Sequence, residues 1–174
     1  RIRWIVCTHT HLDHSPAAAP LARATGARVI GLPPPPGARQ DATFAPDVRP
    51  RDGERLALGD IALTAIHTPG HASNHVCYRL EATRMLFTGD HVMQGSTVVV
   101  NPPDGDMAAY LASLEKLLAL DVAILAPGHG YLIGSPKREV ERLLAHRRWR
   151  EARVLAAVGR LGPASADALL DDVY

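Results

Sequence analysis

Hydrophobic and polar positions along this chain change period repeatedly, and the changes mark out alternating strands and helices. Residues 2–7 form a short, β-branched, nearly continuous apolar run, the pattern of a buried strand. Ser15 stands where a helix cap belongs, ahead of Leu21 and Ala24, with Gly26 as the stop. Residues 28–31 predict a short strand, and residues 56–58 and 61–66 alternate about Gly59-Asp60 as a hairpin does. A second hairpin is predicted from residues 76–80 and 85–88. Met107, Tyr110, Leu111, Leu114, Leu117 and Leu118 then recur at helical spacing, with Asp104 or Asp106 as the cap.

After that helix, residues 122–126 read as a strand, and Ser135-Pro136 opens a helix that runs to about Val158. Residues 159–162 break it, and residues 163–170 begin another. Strands alternating with helices predict an α/β layer fold. The stretch 33–50 is loop-like, and the four prolines at 33–36 favour an extended spacer.

Composition narrows the class without naming a chemistry. Hydrophobic residues make up 47% and charged residues 21%, and the net charge is +1, so no global field points to nucleic acid or membrane. No apolar run has the length of a membrane span, and the expectation is a cytoplasmic globular enzyme. Cys7 and Cys77 both lie in apolar strands and read as buried free thiols rather than a disulfide. One local imbalance stands out in the last long helix. There Lys137, Arg138, Arg142, Arg147, Arg148, Arg150 and Arg153 outnumber Glu139, Glu141 and Glu151, which gives either a solvated face or a guide for a polyanion.

The chemistry is concentrated in His9-Thr10-His11-Leu12-Asp13-His14, directly after the first strand. In extended backbone, residues i and i+2 point to one side. His9 and His11 therefore face one cleft, while Asp13 and His14 turn a corner and approach from another direction, which suits two adjacent metal ions. Three further candidates each end a predicted strand beside glycine: His71 after Gly70, Asp90 after Gly89 and His129 after Gly128. Glycine permits sharp turns and close backbone approach, and loops at strand ends are where scaffolds present chemistry. Neutral imidazoles and carboxylates suit zinc, with manganese or iron able to use the same donors. His75 reads as a packed or supporting histidine rather than a ligand, His91 as either cleft lining or a solvated loop residue, and His67 and His146 as structural.

These residues, in this order, resemble the metallo-β-lactamase superfamily, and the resemblance runs from Arg1 to about Arg153. It implies an αββα metallo-β-lactamase sandwich with a two-metal site on its edge. By the same resemblance His9, His11 and His71 hold one metal, Asp13, His14 and His129 hold the other, and Asp90 bridges them, with Asp13 and Asp90 as the catalytic carboxylates. The implied chemistry is hydrolysis by a metal-bound hydroxide, two Zn2+ ions lowering the pKa of water to about 7.

Residues 89–97, residues 101–107 and the helical tail are similar to the lactamase-beta-like protein 2 branch of that superfamily. That branch carries a winged-helix-like C-terminal region and includes RNA-cleaving members. The expectation is a catalytic domain over residues 1–153 and the start of a winged-helix-like region over residues 154–174. Superfamily members have several strands before the first histidine motif, so the chain reads as a fragment with the N-terminal part missing. Its open sheet would then be covered by a missing N-terminal segment or by a second copy in a homo-oligomer. The substrate reading favours a phosphodiesterase or endoribonuclease acting on single-stranded RNA. The alternative is a glyoxalase II-like thioester hydrolase acting on a small-molecule ester or thioester. A β-lactamase fits less well because those enzymes place cysteine or serine where Asp90 stands, and a non-catalytic metal scaffold fits least.

Overall fold

The computed structural model describes residues 1–173. Its elements follow the order β1 (Trp4–Val6), α1 (Ala18–Thr25), β2 (Arg28–Ile30), β3 (Arg55–Ala57), β4 (Ala62–His67), β5 (Val76–Leu80), β6 (Met85–Gly89), α2 (Met107–Leu118), β7 (Ile124–Pro127), α3 (Pro136–Leu161) and α4 (Ala166–Val173). β1 and β2 pair in parallel. The other five strands form one sheet in the order β3-β4-β5-β6-β7, antiparallel except for the parallel β6–β7 pair.

The period-2 pleat divides the strand residues between three apolar layers. Ile5, Cys7 and Val29 face α1 with Ala18, Ala22 and Phe44. Trp4, Val6 and Ile30 face the opposite way and meet Leu63, Ala65, Val76 and Tyr78 of the larger sheet. From the far side of that sheet Ile66, Cys77, Leu86 and Leu125 meet Tyr110, Leu114 and Leu117 of α2 and Val140, Leu143 and Leu144 of α3. The layers are therefore helix, sheet, sheet, helix. Each fully buried Leu or Ile in them contributes roughly 1.5–3 kcal/mol.

The αββα sandwich is formed, but the expectation that its N-terminal strand is missing is overturned, and with it the narrower resemblance to a lactamase-beta-like protein 2 lacking that part. The N-terminal strand β1 is present and fully engaged. Trp4, Ile5 and Val6 register with Arg28, Val29 and Ile30, the Cys7 N–H donates to the Ile30 carbonyl at 2.9 Å, and the Tyr78 hydroxyl donates to the Cys7 carbonyl at 3.2 Å. These bonds tie β1 to both sheets.

Local differences from the sequence reading have physical causes. Ser15 does not cap α1, because its hydroxyl donates to Asp41 at 2.8 Å. Asp106 is the cap of α2, accepting from the Ala109 N–H, while Asp104 turns away to accept from Gln40 at 2.7 Å. α3 runs through Gly159 and ends at Gly162, whose φ is 70°; a single interior glycine costs a helix only about 1 kcal/mol. The helix also passes unbroken across residues 153 and 154, and Arg150 donates to the Val173 carbonyl of α4 at 2.9 Å. Tyr174, the end of the expected C-terminal region, lies outside the described residues. No helix among the described residues is long and apolar enough to cross a membrane.

Candidate metal centre

Strand direction brings the candidate ligands together. β4 and β6 both run antiparallel to β5, and β7 runs parallel to β6, so the C-terminal ends of β4, β6 and β7 share one edge. His71, Asp90 and His129 follow those three ends. The loop after β1 is brought to the same edge by the Val76 N–H, which donates to the Thr8 carbonyl at 2.7 Å, and it is folded into a turn by the His14 N–H to His11 carbonyl bond at 3.0 Å.

All seven residues converge. Donor atoms of His9, His11 and His71 lie within 4.8 Å of one another, as do those of His9, His14 and Asp90 and those of Asp13, His14 and His129. In the first cluster His11 Nδ1 stands 3.0 Å from His9 Nε2 and 2.9 Å from His71 Nε2. A tetrahedral ion about 2.05 Å from each nitrogen would hold them about 3.3 Å apart, so the spacing fits within a few tenths of an ångström. In the other cluster His129 Nε2 lies 3.3 Å from Asp13 Oδ2 and His14 Nε2 lies 3.6 Å from it. Asp90 reaches both sides, Oδ2 standing 3.7 Å from His71 Nε2 while Oδ1 is 3.3 Å from His14 Nε2 and 3.5 Å from His129 Nε2.

Two observations argue that these donors fit a cation. His71 Nδ1 meets the Val99 carbonyl at 2.6 Å. A carbonyl only accepts, so the ring proton of neutral His71 sits on Nδ1 and Nε2 presents a bare lone pair to the cluster. In addition, His14 Nε2 and Asp90 Oδ1 are buried and, apart from their 3.3 Å approach to each other, have no hydrogen-bond partner, although buried polar groups ordinarily have partners. Burial lowers the pKa of His9 to about 2, helped by the neighbouring His14, His11 and His71. His11 is lowered by burial and then by His71. For His14 burial also acts downward, but contact with Asp90 and the charges of Asp90 and Asp13 outweigh it and raise the pKa. Burial pushes the Asp90 carboxyl up, and the surrounding histidines, His14 foremost, bring it below the usual carboxylate range.

Close backbone approach explains two of the glycines. At Gly89, where φ is 47°, a Cβ would stand 2.5 Å from Thr8 Oγ1. At Gly128 it would stand 2.8 Å from Asp90 Oδ1 and 2.9 Å from His14 Cε1. His75 is fully buried and accepts from the Asp90 N–H at 3.2 Å, with its other nitrogen 2.9 Å from Thr68 Oγ1. It supports Asp90 through the backbone, and burial with the surrounding histidines keeps it neutral, its pKa well below the ordinary value. His91 is also buried, packed edge-on against Tyr110, with a pKa lowered by burial to about 3.

The proline-rich segment, read from the sequence as a spacer, buttresses the ligand loop. The Asp41 N–H donates to the Thr10 carbonyl at 2.8 Å while its carboxylate accepts from Ser15, and Asn74 donates to Thr10 Oγ1 at 2.6 Å. Gln40 bridges Thr10 and Asp104. Asn74 could have been suspected from its position between His71 and His75, whereas nothing in the local sequence marks Gln40 and Asp41.

The sequence profile of the metallo-beta-lactamase superfamily matches residues 1–129, and the chain belongs to that superfamily of hydrolytic enzymes. It is 31% identical over 161 residues to the atrochrysone carboxyl ACP thioesterase of Aspergillus fumigatus, covering 91% of this chain and 48% of that protein. It is 36% identical over 138 residues to the hydroxyacylglutathione hydrolase of Fuscovulum blasticum, covering 78% and 51%. Among solved structures it resembles TTHA1623 in a di-iron-bound form, with a TM-score of 0.64, 29% identity, and 77% and 73% of the two chains covered. The chain spans about half the length of the curated relatives it matches.

Proposed function

We propose that the chain acts as a thioester hydrolase with a binuclear metal centre. In this reading His9, His11 and His71 hold one ion, Asp13, His14 and His129 hold the other, and Asp90 spans them. The observation that carries it is the single Asp90 carboxylate facing both clusters, Oδ2 toward His71 and Oδ1 toward His14 and His129. Bound zinc or iron would supply Lewis-acid polarisation of the acyl carbonyl and a water acidified to near-neutral pKa. Asp90 orients both clusters, and Asp13, the more exposed carboxylate, stands where a proton released from water can leave toward solvent. Free thiols at Cys7 and Cys77 are in keeping with a cytoplasmic setting.

The thioester substrate is favoured by the relatives, one named an ACP thioesterase and the other a hydroxyacylglutathione hydrolase. A phosphodiesterase steered by the basic face of α3 is less well supported. Arg142 pairs with Glu139 at 2.6 Å, Arg148 pairs with Glu115, and Arg147 turns inward to the Val98 carbonyl, so much of that charge is already engaged within the protein.

Metal analysis of the purified protein, followed by assays on an acyl thioester and on single-stranded RNA, tests the proposal. About two divalent ions per chain and thioester turnover are expected. RNA cleavage that weakens steeply with salt, without thioester turnover, would replace this reading with the phosphodiesterase.

A further inference from the structure

Arg147 occupies a position where α3 should be apolar. The buried stripe of that helix is Val140, Leu143 and Leu144, and Arg147 continues it at the next turn. Its guanidinium lies over the Tyr110 ring, 5.4 Å from the centroid, and Nη2 donates to the Val98 carbonyl. Nε is buried without a hydrogen-bond partner, and among the described residues no carboxylate comes within 4.0 Å of the guanidinium. Arg147 is half-buried, and shielding its Nε from water with neither a hydrogen bond nor a counter-charge has a cost, so its placement calls for a role.

Both groups that Arg147 touches hold His71. The Val98 peptide leads directly into Val99, whose carbonyl receives the His71 Nδ1–H at 2.6 Å. Tyr110 lies beneath the residue before His71, so closely that a Cβ on Gly70 would stand 2.4 Å from Tyr110 Cα. The Tyr110 hydroxyl also donates to the His91 carbonyl at 3.0 Å, next to Asp90.

We propose that Arg147 is a positioning residue for His71: by anchoring the Val98–Val99 peptide and Tyr110 together, it fixes the ring orientation and the tautomer that leave His71 Nε2 unprotonated. A ligand histidine must offer a lone pair, and which nitrogen does so is set by the hydrogen bond of the other. The residue comes from a helix outside the matched segment 1–129, which makes α3 part of the metal centre's support. The inference rests on His71 being a ligand and is independent of the thioester substrate.

The test compares the parent chain with Arg147→Met and Arg147→Lys, using 15N-labelled imidazole spectra of metal-free protein and titration with Co2+ followed by its visible spectrum. For Arg147→Met the His71 Nδ1–H should lose its protection from exchange, and Co2+ affinity at the tighter site should fall about 10–100-fold. Arg147→Lys, which keeps the charge and a donor, should recover part of both. In a His71→Ala background the Arg147→Lys effect on Co2+ should vanish. A bracing role between α2 and α3 alone would lower the melting temperature and leave the ring proton and the Co2+ spectrum as in the parent, and that result would overturn the proposal. Should Arg147→Met not fold, an Arg147→Lys protein with parental ring signal and Co2+ affinity overturns it equally. A parent that binds no Co2+ would remove the metal reading, and the ring-proton comparison would still decide what Arg147 does to His71.

Discussion

The two clusters of candidate donors both face Asp90 but are held in different ways. His9, the most deeply buried member of the first cluster, is 1% exposed, and its ring packs edge-on against His11 and His71. In the second cluster the side chains of His129 and Asp13 are 44% and 62% exposed. The first cluster is built into the junction of the two sheets, where the protein itself dictates where each nitrogen points. The second sits at the rim, so its geometry depends far more on the ion that draws it together. A buried, preformed set gives affinity, and an open set gives access to substrate.

Removing the shared group should have the largest effect. Asp90→Ala is expected to lose the second ion, weaken the first and lower kcat/KM by about 10³-fold or more, several kcal/mol of lost stabilisation. Metal content and kinetics measure it, and retained binuclear loading would break the bridging assignment.

Single-ligand variants then sharpen the contrast between the clusters. His129→Ala should release one ion per chain and leave the other bound almost as in the parent. His71→Ala should weaken the tight ion by about 100-fold. Equal losses in calorimetric titrations would erase the distinction drawn between a preformed and an open cluster.

Acidification probes the buried side of the comparison in metal-free protein. Folded His9 and His91 titrate only at about 2 and about 3, and His75 well below its ordinary value, whereas in the unfolded chain each titrates near 6.5. Below that pH the unfolded state binds more protons, so stability falls as pH falls. Each such group contributes roughly 1.4 kcal/mol per pH unit while it stays neutral in the folded state. His14 works against this trend: its raised pKa gives a contribution that is present below the unfolded value and is lost as pH rises through the folded one. Urea midpoints should therefore drop between pH 6.5 and 5, and a flat profile would contradict the burial of these rings.

The smallest effect is expected behind the ligand loop. Asp41→Ala removes the acceptor for Ser15 and for Thr43, and should cost about 1–3 kcal/mol of stability while weakening the buried ion about 10-fold or less. Thermal melts with and without metal separate the two. If only the exposed cluster responds, the proline-rich segment supports the rim and not the interior.

How much of this was legible in the sequence follows from the range of the interactions. The candidate donors that converge in the fold were marked locally: His9, His11, Asp13 and His14 by a dense run after a strand, and His71, Asp90 and His129 each by a strand run followed by glycine, as in Thr68-Pro69-Gly70-His71. The helices α2 and α3 could be read from their apolar spacing. Supports assembled across the chain left no such mark: Asp41 reaches Ser15 over 26 residues, Asn74 reaches Thr10 over 64, and Arg147 reaches Val98 over 49. The strongly basic composition of α3 was visible, but its meaning was not, because Glu115, Val98 and Val173 meet those arginines only in the fold. The N-terminal strand was legible too, since residues 2–7 read as a strand and Trp4–Val6 pair as β1, whereas the expectation that an N-terminal strand was missing came from the resemblance and not from the local pattern.

Anyone diversifying this enzyme by saturation libraries would turn first to the loop beyond β7, where Tyr131 and Leu132 lie open to solvent. Gly128 sets the upstream border of that design space. With Asp90 Oδ1 and His14 Cε1 both under 3.0 Å from where a methyl group would go, every other residue at this position crowds the carboxylate that faces both clusters. Randomised cassettes that begin at residue 131 should yield mostly folded, metal-loaded clones, while cassettes that begin at residue 128 should consist mainly of inactive ones.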